Sequence, residues 1–180
     1  MTNLKQLTTF QVPIQTGNHI AGWILSIDQA SNAAGVSLWK DGTLVDTTVL
    51  VSSSSSHSYS KRVQFQVPQL TAFLARHLKP NENVTKILFE GVRSVLVQMA
   101  AGAFMMCPLI DAKLSPSDSF VHTSSWKMYA KQRGATGPLK DIKGIKALLE
   151  IGFPVEVLSK QSDDIGDSVL IYLSWVNKKR

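Results

Sequence analysis

The sequence predicts an α/β fold: a mixed five-stranded sheet, an antiparallel meander of three strands plus parallel strands, flanked by helices. Three observations point to it. Residues 22–28 form a near-continuous apolar run suited to a buried central strand, and 84–90 reads as a second. Residues 33–40 and 43–51 alternate and are joined by Asp41-Gly42, a strong hairpin signal. Beyond them, Val63, Val67, Leu70, Leu74 and Leu78 recur at helical spacing, and helical segments dominate the rest of the chain.

In chain order, residues 1–20 lack periodicity and read as an N-terminal extension, leaving 21–180 as one domain. A chain of 180 residues supports one substantial core and not two comfortable ones. The meander 22–51 gives way to a serine tract, Ser52 to Ser56, which buries nothing and reads as a flexible loop. The next helix carries Pro68, which implies a kink or a second start, and stops at Lys79-Pro80-Asn81. After the 84–90 strand, residues 95–106 are too apolar for an exposed helix and read as core. Residues 120–123 are a short strand leading into a small helix. Residues 134–137 are a glycine-containing loop. Residues 138–151 read as a helix with Ile142, Ile145, Leu148 and Leu149 inward, and the last helix starts at the N-cap Ser162 and runs to about residue 177.

A net charge of +6 favours a polyanionic partner. Its distribution sharpens the point: Lys127, Lys131, Arg133, Lys140, Lys143 and Lys146 share a region holding a single acid, Asp141. The lone cysteine, Cys107, follows an apolar run, reads as buried and inert, and fits a reducing cytoplasm. Neither an export signal nor a membrane span is evident, so no membrane association is expected. His19, His57, His77 and His122 lack ligand-like spacing, which argues against zinc.

Four acids in three separate stretches carry the chemistry. Asp28 and Glu90 each end a buried strand, while Asp164 and Asp167 open the last helix at i, i+3 spacing, on one face. Buried carboxylates are costly unless a positive group meets them. Two of them about 4 Å apart repel by roughly 4 kcal/mol at an effective dielectric near 20. A convergent set therefore suggests a divalent cation, and on a basic protein it suggests phosphate chemistry. Asp163 is an alternative to Asp164, because i, i+4 also sets it beside Asp167; at the first turn it equally complements the helix dipole.

In these residues the chain resembles the RuvC-like Holliday junction resolvases of the ribonuclease H-like superfamily, in particular the compact phage members. The family pattern has a strand-terminal aspartate and a glycine in the next strand, matched by Asp28 and Gly35. A glutamate ends its fourth strand, matched by Glu90, and a Gln-Ala-x-Gly-Ala helix is similar to Gln98-Met99-Ala100-Ala101-Gly102-Ala103 with one residue inserted. Lysines flanking a glycine loop correspond to Lys127, Gly134, Gly137 and Lys140, and Asp-x-x-Asp to Asp164 and Asp167. The likeness spans roughly residues 22–176. It departs after Glu90, where the bacterial aromatics are replaced by Gly91-Val92-Arg93-Ser94. Sugar kinases and actin-like ATPases share the strand-terminal aspartate but need phosphate loops and greater length, which this chain lacks.

The resemblance implies a ribonuclease H-like fold and a metal-dependent endonuclease that resolves branched DNA by paired hydrolysis. Two Mg²⁺ ions, with Mn²⁺ as a substitute, would be held by Asp28 (bridging), Glu90, Asp164 and Asp167. Lys140 is a candidate for stabilising transition-state charge, and Arg93, Lys127, Lys131, Arg133, Lys140 and Lys143 for DNA contact. Symmetric nicking implies a homodimer, with residues 95–106 as the interface. Trp126 is a stacking candidate, although a Trp beside a short strand more often packs in a core. Two alternatives stand beside this: a ribonuclease acting on RNA–DNA hybrid or structured RNA, and a non-catalytic nucleic-acid-binding protein on the same fold.

Overall fold

The computed structural model describes residues 21–30, 32–52, 58–91, 94–115 and 119–178. The N-terminal extension, Ser53 to Ser56 of the serine tract, and Arg93 lie outside the described residues. The elements are β1 (Trp23–Asp28), β2 (Ala33–Lys40), β3 (Thr43–Val51), α1 (Tyr59–Ala75), β4 (Val84–Gly91), α2 (Val95–Phe104), β5 (Phe120–His122), α3 (Thr123–Gln132), α4 (Gly144–Glu150) and α5 (Asp163–Val176).

The strands form one mixed sheet in the order β3-β2-β1-β4-β5. β1 is central, antiparallel to β2 and parallel to β4, and β4 is parallel to β5. Both faces of β1 and β2 are buried, so alternation along β2 distributes side chains between two cores rather than between core and water. Ala34, Val36 and Leu38 join Leu25, Ile27, Ile87 and Phe89 beneath α1 and α2. Trp39 joins Ile24 and Leu88 beneath α3, α4 and α5. Because β1, β4 and β5 run parallel, their carboxyl ends, Asp28, Glu90-Gly91 and His122, reach the same edge of the sheet.

α5 lies across this second core, most of its residues buried. Ser162 Oγ accepts from the Ile165 N–H at 3.3 Å, the expected N-cap. The Tyr172 ring stacks on Trp39 with centroids 3.8 Å apart. Ser26 Oγ reaches the Ser168 carbonyl and shares a 2.9 Å hydrogen bond with Ser37 Oγ, which also accepts from Trp39 Nε1 at 2.9 Å. These buried polar groups satisfy one another and fix the helix over β1 and β2.

Three expectations need correction. α1 passes through Pro68 without a second start, as one helix from Tyr59 to Ala75. α2 is core on one face only: Ala100, Ala101 and Phe104 are buried, whereas Val95, Leu96 and Met99 are 72%, 47% and 51% exposed. Residues 138–151 are not one helix but a 3-10 turn, Leu139–Asp141, followed by α4. The break falls at Gly144, whose φ of +55° an L side chain rarely adopts. Ile142 and Leu148 do face inward, but Leu149 is exposed. Among the described residues no helix is long and apolar enough to cross a membrane.

Candidate active site

Asp28 is the last residue of β1, and its register partner on β2 is Gly35. The first turn of α5 crosses at this point. A Cβ on Gly35 would run into the main chain of Asp164 and Ile165, so only glycine lets the helix carry its acids this close to Asp28. A second close approach fixes the other side of α5. A Cβ on Gly166 would strike Gly144, and the Gly144 N–H donates to Asp167 Oδ1 at 2.6 Å.

Glu90 is set by its neighbours. The Gln29 side chain, almost completely buried, pairs with the Glu90 backbone in both directions. Its Nε2 donates to the Glu90 carbonyl at 2.6 Å, and its Oε1 accepts from the Glu90 N–H at 3.0 Å. The amide thus extends the β1–β4 ladder by one side chain and locks Glu90 beside Asp28. Trp126 is core, 1% exposed, and its Nε1 donates to Glu90 Oε1 at 3.3 Å.

The electrostatics show that the four acids converge. Burial pushes the Asp28 carboxyl well above the usual range, and the charges of Glu90, Asp167 and Asp164 push it further. Asp167 is pushed up to about 7, first by burial and then by Glu90 and Asp163, against the opposing pull of the Gly144 N–H and Lys127. Asp164 is raised by burial and by Asp163, with Lys160 opposing.

Asp163 is engaged elsewhere: Oδ1 accepts from the Ile145 N–H at 3.4 Å and Oδ2 lies 3.5 Å from Lys143 Nζ. That leaves Asp164 as the acid of the pair that acts on Asp28. Among the described residues no three carboxylate, histidine or cysteine side chains stand as a ready-made set for one ion. Mutual repulsion opposes such closure in the absence of a cation. The donor chemistry nevertheless fits a hard divalent cation: carboxylate oxygens only, partly buried, with a proton where positive charge is needed.

The basic residues take distinct places. Lys127 is the cation whose field reaches Asp167; its Nζ also donates to the Lys140 carbonyl at 3.3 Å. Lys131 Nζ donates to the Gly137 carbonyl at 3.3 Å, so both lysines brace the 134–140 loop. Lys140 itself is exposed on the 3-10 turn. Arg133 lies over the Tyr129 ring, 4.6 Å from its centroid. Sequence reasoning missed Gln29, Gly144 and Lys160. Gly144 had a signal, a glycine interrupting the 138–151 apolar pattern; Gln29 had none beyond its place after Asp28.

No family model and no curated protein sequence matches the chain. Solved structures do. Thermus thermophilus RuvC in complex with a Holliday junction substrate superposes with a TM-score of 0.52, covering 85% of this chain and 91% of that one at 14% identity. A further Thermus thermophilus RuvC structure gives the same TM-score and identity, with 84% and 91% covered. The fold is that of RuvC. Asp28 ends β1, Glu90 lies one residue before the end of β4, and Asp164 and Asp167 lie in the opening turns of α5.

Proposed function

We propose that this protein is a metal-dependent, structure-selective DNA endonuclease that resolves Holliday junctions or other branched DNA. The observation that carries the reading is Asp28, buried at the carboxyl edge of a RuvC-like sheet within the field of Glu90, Asp164 and Asp167, with the carboxyls of Asp28, Asp164 and Asp167 all pushed upward. Unpaired acids so placed destabilise the protein, and a cation site explains their presence. The similar Thermus thermophilus protein is seen in complex with a Holliday junction substrate, which favours branched DNA.

Two Mg²⁺ ions, or Mn²⁺ in their place, would be held by Asp28, Glu90, Asp164 and Asp167. When bound they would supply an activated water and charge neutralisation at the leaving oxygen. The chain's own residues do the rest. Gln29 and Trp126 keep Glu90 in place, and the Gly144 N–H aims Asp167 inward. Lys127 stands beside Asp167, and Lys131, Lys140, Lys143, Arg133 and Arg93 offer contacts to flanking phosphates. Paired nicks need two sites, and the exposed apolar side of α2 (Val95, Leu96, Met99) offers a two-fold dimer face. The reaction belongs in a reducing cytoplasm, where the buried Cys107 stays a thiol.

The test is cleavage of a labelled synthetic four-way junction with Mg²⁺, alongside linear duplex and RNA–DNA hybrid. Symmetric nicks on the junction, absent with Asp28→Asn, are expected. Cutting of the hybrid alone would move the protein to a ribonuclease role, and binding without cutting would leave a nucleic-acid-binding scaffold.

A further inference from the structure

A second feature lies at the β5 edge of the sheet. There a cleft of about 710 Å³ opens between the edge strand β5, α3 and the end of α5. The volume falls within the ~300–1,000 Å³ of small-molecule pockets. Tyr129, Trp175 and Phe120 supply aromatic surface, Arg133 and Lys178 supply positive charge, and no carboxylate lines it among the described residues. Asn177 also lines it. Its Nδ2 is committed to the Leu173 carbonyl at 2.9 Å and to the Tyr129 hydroxyl at 3.4 Å.

We propose that this cleft binds an unpaired nucleobase of a DNA strand. Aromatic faces accept any base by stacking, and the basic rim matches the flanking phosphates. A base can stack on a side chain only once it has left its own helical stack, so the occupant is unpaired. The position suits the role. His122, at the mouth of the cleft, is the register partner of Gly91, the residue after Glu90, so a strand leaving the carboxylates passes the cleft within one strand spacing. β5 has only three residues, too short an edge for a peptide strand to add to. The inference deepens the reading of the chain as a protein acting on branched DNA, because a base freed at a branch point is its natural occupant.

The test is fluorescence titration of the full chain in EDTA, so that no cleavage is needed. The probes are a labelled twelve-residue oligothymidylate, an abasic strand of the same length, and duplex. The oligothymidylate is expected to bind at least about tenfold tighter than the abasic strand and to quench tryptophan emission. Trp175→Leu should abolish that quenching and bring oligothymidylate binding down to the abasic level. Met128→Glu, at an exposed helical position on the cleft, should weaken binding by about tenfold or more and remains informative if Trp175→Leu does not fold. Equal binding of the two strands by the wild type, or unchanged binding by Met128→Glu, would overturn the proposal. Base-dependent binding without junction cleavage would keep the cleft and sink the nuclease reading; cleavage without base-dependent binding would do the reverse.

Discussion

Asp28 and Asp167 make a signed prediction about pH. Asp167 titrates at about 7 in the fold against an ordinary value of 3.8. Between those limits the folded state holds a proton that the unfolded chain has lost, so stability falls as pH rises from about 4 to about 7. Asp28, raised for the same cause, adds to the loss in the same direction. Asp167→Asn keeps an acceptor for the Gly144 N–H and removes the charge. Its melting temperature in EDTA at pH 7.5 should therefore exceed wild type by about 2–4 °C per kcal/mol recovered, with a flatter pH profile. A lower melting temperature at every pH would refute the claim that these charges are uncompensated. Asp28→Asn should behave likewise in EDTA and cut junction DNA at least about 10³-fold more slowly, with junction binding retained. Gln29→Ala strips the Glu90 N–H and carbonyl of their partners; about 1–3 kcal/mol of lost stability is expected, measurable by urea unfolding.

At the scale of elements, α5 is the part whose placement decides the site. Gly35→Ala drives a methyl into the Asp164 main chain and must lift the first turn of the helix off β2. The expected result is a loss of several kcal/mol and of metal-dependent cleavage together; a Gly35→Ala protein with wild-type melting would show that the approach is looser than drawn. The Ser162 cap stabilises the same turn, and Ser162→Ala should cost about 1 kcal/mol. α2 poses a different question. Its apolar outer side, with Met99 and Leu96 half exposed, is left uncovered by the described residues. Leu96→Glu should leave the fold intact and convert a dimer to monomer in sedimentation velocity. A wild type that sediments as a monomer at every concentration would remove α2 from the interface.

For the whole molecule, the proposed cation site predicts a link between cation binding and stability. Added Mg²⁺ should raise the melting temperature more at pH 8, above the value of about 7 to which Asp167 is pushed, than at pH 5, where a proton holds its place. An equal rise at both values would mean that the cation binds elsewhere. Most of the fold is legible in the sequence at this scale, because strand runs, the Asp41-Gly42 turn and the Ser162 cap are local signals. Residues 138–151 and α2 are where local signals mislead. Apolar spacing there records which residues are greasy, while the chain break at Gly144 and the bare side of α2 depend on what lies opposite.

The sequence by itself determined the strand and helix order, the basic character of the 127–146 region, and the four acids, since each is written in residue type and spacing along the chain. Only the tertiary structure decided that Asp164 rather than Asp163 acts on Asp28, that Gln29 holds the Glu90 backbone, that Lys127 is the cation whose field reaches Asp167, and that β5, α3 and the end of α5 enclose an aromatic cleft. Those facts rest on contacts between segments distant in sequence. They follow from Gly35 and Gly144-Gly166 allowing α5 to approach the sheet edge more closely than any other residues would permit.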